Sequence, residues 1–257
     1  METRQIMGRV QNKVVLLTGA AGGVAREAAA MLAREGATVV LADIDETAGQ
    51  SAARQIGESA SFLRLDVSSE ADWQEALARV VARFGRLDAL VNSAAICRSE
   101  SIEETSLELF RTVSRINAEG TFLGCKHAIA QMKTNGGGSI VNLSSTAALA
   151  GHTGLCAYSA SKGAVSALTR NVAAHCRAQG YRIRCNSIHP AGIRTAMSEK
   201  MLAGVDEKFV NFDLNPQSGV CEPHDVAHLI LFLVSDESRF ISGAELRVDN
   251  AMLTSVG

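Results

Sequence analysis

Short β-branched runs alternate along this chain with longer helical patterns, and that alternation narrows the choice of fold most. "KVVLL", "ATVVLA", "SFLRLDV", "LDALVN", "GSIVNLS", "YRIRCNSI" and "AELRVD" read as strands. Between them lie helical stretches such as "VAREAAAMLAREG", "EADWQEALARVVARFG" and "YSASKGAVSALTRNVAAHCRAQG", the last closed by Gly180. Alternation of this kind implies βαβ units and a parallel sheet. Near-continuous apolar strands fit a sheet covered on both faces. The expectation is an α/β fold, doubly wound, with a seven-stranded parallel sheet and helices on each side.

At 257 residues with 47% hydrophobic content, the chain has material for one large core, read as a single domain over 1–257. Only three prolines occur, and "NGGGS" from Asn135 is short enough to be a helix-to-strand turn. A formal net charge of −2 with no basic run argues against nucleic acid or an anionic membrane as partner. "METRQIMGRVQNK" lacks an apolar core of signal-peptide length, and no run approaches a membrane span. The six cysteines form no CxxC pair and are expected as reduced, mostly buried thiols of a cytoplasmic protein without a metal site.

"LLTGAAGGVAREAAAMLAREG" crowds Gly19, Gly22 and Gly23 between the first strand and the first helix. Glycine adds no bulk where a ligand must touch the main chain, and a helix N-terminus offers free N–H groups to an anion. The turn predicts a phosphate site, with an unliganded tight turn as the alternative. Asp43 ends the second strand 24 positions after Gly19, near the spacing of a carboxylate that binds an adenosine ribose. Such a carboxylate repels a 2′-phosphate, and the nearest candidate cation, Arg26, should sit one turn into the helix. The combination favours NAD over NADP.

Tyr158 and Lys162 stand four apart at the start of a long helix and share one face. A phenol titrates near pKa ~10, and bringing it to about 7 requires roughly 4 kcal/mol of differential stabilisation. Lys162, the positive nicotinamide and hydrogen bonding could share that, giving a general acid/base at neutral pH. An ordinary surface Tyr–Lys pair is the competing explanation.

Context bears on that choice. "TGAAGGVA", "LDV" at Leu65–Val67, "NSAA" at Asn92, Asn117, Ser145, "YSASK" and "HPAGIRT" together resemble the short-chain dehydrogenase/reductase family, in order and over essentially the whole chain. In detail the chain looks most like bacterial hydroxysteroid dehydrogenases (3β/17β type) and related cyclic-alcohol dehydrogenases. The resemblance implies a Rossmann-type domain in which Tyr158 exchanges a proton with the substrate oxygen. It implies that Lys162 tunes Tyr158 and binds the nicotinamide ribose, that Ser145 bonds the substrate oxygen, and that Asn117 positions a water beside Lys162. Asp66 and Val67 would flank the adenine, Asn92 would support the sheet, and Ile193 and Thr195 would hold the carboxamide. Val24, Ala94 and Pro190 complete the implied cofactor set. Ala25, Ala95 and Ala191 depart from the family's glycine pattern and put cofactor affinity in question.

The implied activity is NAD-dependent interconversion of a secondary alcohol and a ketone, on a steroid or other hydrophobic cyclic alcohol. A 3-oxoacyl-carrier-protein reductase and a non-catalytic dinucleotide sensor are the alternatives. The segment 193–220 carries Met197, Met201, Leu202, Val205, Phe209, Phe212 and Leu214 among charged residues, as an amphipathic substrate lid would. Leu149, His152 and Leu155 are expected to border the catalytic side, and flexible methionines suit a bulky ring system. Burial of the lid residues in the protein's own core is the competing reading. The resemblance also implies a homo-oligomer, expected as a tetramer.

Overall fold

The computed structural model describes residues 8–199, 203, 206–211 and 213–254. Seven strands form one sheet, all pairs parallel, in the order β3-β2-β1-β4-β5-β6-β9. They are β1 (Val14–Thr18), β2 (Thr38–Asp43), β3 (Ala60–Arg64), β4 (Ala89–Asn92), β5 (Gly138–Leu143), β6 (Ile183–Pro190) and β9 (Glu245–Val248). Two short strands, β7 (Gly192–Ile193) and β8 (Val220–Cys221), pair separately. The main helices are α1 (Gly23–Arg34), α2 (Glu46–Ile56), α3 (Glu70–Phe84), α4 (Leu107–Ser114), α5 (Gly120–Met132) and α6 (Cys156–Ala178). A four-residue α7 (Glu207–Val210) and then α8 (Pro223–Val234) complete the order.

Side chains of a strand point alternately to opposite faces, so each strand supplies two cores. Val15, Leu17, Val39, Leu41, Val91 and Val141 face α1 and α8, where Ala25, Ala28, Leu32, Ile230 and Leu231 pack. Their neighbours Val14, Leu16, Val40, Leu90 and Ile140 face α3, α5 and α6 through Trp73, Leu77, Leu123, Met132 and Cys176. Burying each such aliphatic side chain contributes about 1.5–3 kcal/mol, which is why β1 carries no polar residue before Thr18. Ala25 is fully buried in the first core, which accounts for a small residue at that departure from the glycine pattern.

Local chemistry sets the helix ends. Asp45 and Ser69 accept hydrogen bonds from Ala48 N–H and Asp72 N–H and cap α2 and α3. Gly85 ends α3 in the left-handed region, and Gly180 follows α6 with φ of 70°. "NGGGS" links α5 to β5 as a turn, as expected. No cysteine is disulfide-bonded among the described residues; Cys125, Cys176 and Cys185 are buried, while Cys97, Cys156 and Cys221 are half-buried. No described helix is long and apolar enough to cross a membrane.

Strand order reverses between β1 and β4. A crevice opens at their C-terminal ends, where such sheets bind ligands.

Candidate active site

The crevice is a cavity of about 380 Å³, and its floor is the glycine turn. Gly19 and Gly23 have φ of 69° and 57°. A Cβ on Gly19 would lie 2.8 Å from the Cα of Ala94, so β1 and β4 approach closely only because the residue is glycine. Thr18 Oγ1 locks the same crossing by accepting from Ser93 N–H at 3.1 Å and Ala94 N–H at 3.2 Å. Gly22 is different: it is extended (φ −159°), and a Cβ there would meet nothing within 4 Å.

Helix α1 begins at this turn with no side-chain cap and no acidic residue in its first turn. Its leading N–H groups and the positive end of its dipole therefore face the cavity uncompensated. Asp43 lies on the same wall. One carboxylate oxygen accepts from Ala21 N–H at 3.0 Å and the other from Asp45 N–H at 3.1 Å, which ties the end of β2 to the turn. The carboxylate retains acceptor capacity toward the cavity. An uncapped helix end, an open Gly22 and a carboxylate one strand away fit the pyrophosphate and ribose of a dinucleotide.

Tyr158 and Lys162 enter from α6 at the other end of the cavity. Lys162 is buried; its ammonium donates to the Leu143 carbonyl at 2.6 Å, where β5 ends, and lies 5.6 Å from the centre of the Tyr158 ring. The Lys162 carbonyl accepts from Ser144 Oγ (2.9 Å) and Ser166 Oγ (3.1 Å), so the residue is held at both ends. Burial pulls the Lys162 pKa down to about 8. Burial pushes Tyr158 up to about 12; nearby Cys97 acts in the same direction, while a hydrogen bond with the Ser145 side chain opposes it. Without a cofactor, the tyrosine is therefore not poised near neutrality. Desolvation outweighs the single hydrogen bond, and the lysine is turned to the Leu143 carbonyl.

Ser145 lies two residues past β5 and caps a short 3-10 turn (146–148), with its Oγ accepting from Ala147 N–H at 3.1 Å. Asn117 sits in a π-helical turn (115–119) between α4 and α5, a wide turn often found at functional positions. Its side-chain oxygen accepts from Ile96 N–H at 2.9 Å, and its amide donates to the Ile96 carbonyl at 2.9 Å and Ser161 Oγ at 3.0 Å. It thereby pins the loop after β4 against α6.

The sequence profile of a family described as Enoyl-(Acyl carrier protein) reductase matches residues 19–252. The chain belongs to the short-chain dehydrogenase/reductase family. It is 48% identical over 248 residues to the 3-beta-hydroxysteroid dehydrogenase of Comamonas testosteroni, covering 95% of this chain and 97% of that protein. It is 41% identical over 246 residues to the cyclopentanol dehydrogenase of Comamonas sp. (strain NCIMB 9872), covering 95% and 98%. The crystal structure of levodione reductase superposes with a TM-score of 0.87 at 29% identity, covering 95% of this chain and 99% of that one. Short-chain dehydrogenases/reductases of this kind are oxidoreductases of alcohols that bind a nicotinamide dinucleotide.

The cavity of this dehydrogenase/reductase brings together Gly19, Gly22, Gly23, Val24, Asp43, Asp66, Val67, Ala94, Tyr158, Lys162, Pro190, Ile193, Thr195 and Met197. Asn92 stands behind the wall, buried, donating to Asn142 Oδ1 at 2.9 Å. Leu149, His152 and Leu155 do not line the cavity: they lie in the loop between β5 and α6, with Leu149 44% exposed and Leu155 bridged to Glu100. Sequence reasoning missed Ile44, Ser93, Ile96, Ile116, Leu143 and Ser144 as lining residues. Several follow directly after strand C-termini, a positional signal that could have found them.

The segment 193–220 starts in β7 and ends in β8, which pair with each other. Arg194 anchors the base of this excursion, donating to Glu222 at 2.8 Å and to the Val210 carbonyl at 2.8 Å. Val210 is buried and Leu214 exposed. Met201, Leu202, Val205 and Phe212, with the side chain of Phe209, lie outside the described residues.

Proposed function

We propose that this protein is an NAD-dependent dehydrogenase interconverting a secondary alcohol and a ketone on a hydrophobic cyclic substrate such as a hydroxysteroid. One observation carries the reading: Tyr158 and Lys162 open onto the same cavity as the uncapped glycine turn and Asp43. Relatives named for a 3-beta-hydroxysteroid and for cyclopentanol support the substrate class and favour it over an acyl-carrier substrate.

A bound nicotinamide dinucleotide supplies the hydride acceptor or donor. The first turn of α1 holds its phosphates, Asp43 its adenosine ribose, Asp66 and Val67 its adenine, and Ile193 and Thr195 its carboxamide. Tyr158 takes the proton of the alcohol oxygen during oxidation and returns it during reduction. Ser145 bonds that oxygen, and Lys162 stabilises the phenolate. Asn117 holds the β4 loop through Ile96 and orients the proton path beside Lys162. NAD is favoured over NADP because Lys162 is the sole cation among the described lining residues and stands at the far end from Asp43. Arg26 does not line the cavity and donates to Gln55 at 2.5 Å.

The whole chain acts as one catalytic domain, with 193–220 covering a hydrophobic substrate. Leu107, Phe110 and Phe122 are exposed on α4 and α5, and this apolar face supports assembly into a homo-oligomer, a tetramer by family resemblance. The test is NAD reduction against cyclic, acyclic and steroidal alcohols, with Tyr158→Phe as control. Turnover of cyclic alcohols that is abolished in a folded Tyr158→Phe protein supports the reading; undiminished turnover in that variant overturns it.

A further inference from the structure

We infer that His189 is a positioning residue, holding Ser145 in place through the Ser145 main-chain carbonyl. The inference rests on the reading of Ser145 as the group that bonds the substrate oxygen.

The β5–β6 ladder ends with Ser144 N–H donating to the Ile188 carbonyl at 2.8 Å. The next ladder donor along β6 would be Pro190, which has no N–H. Beyond this point β5 ends, and Pro190 offers no main-chain N–H to continue the ladder. The side chain of His189 takes over. Fully buried, it places Nδ1 3.1 Å from the Ser145 carbonyl and Nε2 2.9 Å from Ser187 Oγ.

A carbonyl can only accept, so Nδ1 carries the proton, and in the neutral ring Nε2 accepts from the Ser187 hydroxyl. Both nitrogens are satisfied in one tautomer. The Ser145 carbonyl also accepts from Ala148 N–H at 3.0 Å, so the imidazole and the 3-10 turn together occupy its acceptor sites. Removing the imidazole leaves the turn attached on one side only. A displacement of about 1 Å at a reacting group can cost on the order of 100-fold in rate.

Burial favours the neutral ring and outweighs the bond to the Ser145 carbonyl, which favours the protonated one, while the charges of Lys162 and Arg170 on α6 also oppose a further positive charge. Arg170 is itself paired with Glu245 on β9. The balance lowers the His189 pKa and favours the neutral bonding pattern.

Two measurements on the full chain test this. In ¹⁵N-histidine-labelled protein at about pH 7.5, His189 should show a protonated Nδ1 and an unprotonated Nε2. An Nε2–H tautomer or a doubly protonated ring overturns the inference, whatever alcohol is turned over. Kinetically, with NAD and cyclopentanol, His189→Ala should lower kcat about 10- to 100-fold and leave the KM for NAD within about two-fold. His189→Asn, whose amide nitrogen falls near Nδ1, should recover most of the loss, and His189→Gln, which reaches toward Nε2, should not. In a Ser145→Ala background His189→Ala should cost nothing further. An equal loss in both backgrounds, equal Asn and Gln variants, or an unchanged kcat would sink it. A Ser145→Ala enzyme as active as the parent would instead refute the role given to Ser145, leaving the tautomer to judge the strut.

Discussion

Lys162 Nζ stands 5.6 Å from the centre of the Tyr158 ring, and burial moves the two groups in opposite directions: the phenol up to about 12, the ammonium down to about 8. Both shifts favour neutral forms, and paired displacement of this kind is characteristic of acid/base sites. Burial thus keeps Tyr158 protonated at neutral pH.

In the proposed reaction, alcohol oxidation needs the Tyr158 phenolate. With a tyrosine pKa above the working range, kcat/KM for oxidation should rise with pH, by up to tenfold per unit, from about 7 until the holoenzyme pKa is passed. Ketone reduction needs the protonated phenol and should stay flat before falling. Parallel pH–rate profiles in both directions check this; an oxidation rate that declines from pH 7 to 9 contradicts it.

Lys162 should cost the cofactor-free fold stability. At pH 7 it is charged both folded and unfolded, and burial makes the folded form carry the desolvation. Between the folded value of about 8 and the unfolded 10.5, the unfolded chain binds more protons, so stability rises with pH across that window. Lys162→Met should therefore be more stable than the parent at pH 7, by about 1–3 kcal/mol, and inactive. The difference should shrink toward pH 10.5, as read by urea denaturation at several pH values.

Gly19 and Gly22 should separate structure from binding. Gly19→Ala places a methyl against the Ala94 main chain in a left-handed conformation and should lower stability by roughly 1–3 kcal/mol. Gly22→Ala is extended and meets open space, so its melting temperature should be unchanged. Its methyl occupies the proposed phosphate space, and calorimetric titration should show NAD affinity reduced about tenfold or more.

Asp43→Ser should narrow the preference for NAD over NADP, chiefly by relieving repulsion of a 2′-phosphate. Titration of both nucleotides measures it. Loss of the bonds to Ala21 N–H and Asp45 N–H should weaken both ligands somewhat. An NADP affinity that is already equal in the parent would overturn the assignment.

Phe122→Asp on the exposed face of α5 should yield a smaller species than the parent in sedimentation velocity while preserving the circular dichroism spectrum. A parent that sediments as a monomer at micromolar concentration would contradict the oligomer reading.

Much of this architecture is legible in the linear pattern, because short-range physics fixes it. Alternating apolar residues assign two faces to each strand, and four-residue spacing puts Tyr158 and Lys162 on one side of α6. Glycine at positions 19 and 23 is demanded by local backbone angles. Other features depend on distances between groups remote in sequence, which only the packed chain sets. Gly19 meets Ala94 because β1 and β4 are neighbours at the reversal of strand order. Lys162 finds the Leu143 carbonyl because β5 ends beneath α6. His189 meets Ser145 because a proline ends the ladder where the strands part. The upward push on Tyr158 has the same origin: spacing sets which charges are near, but desolvation depends on everything that folds around them.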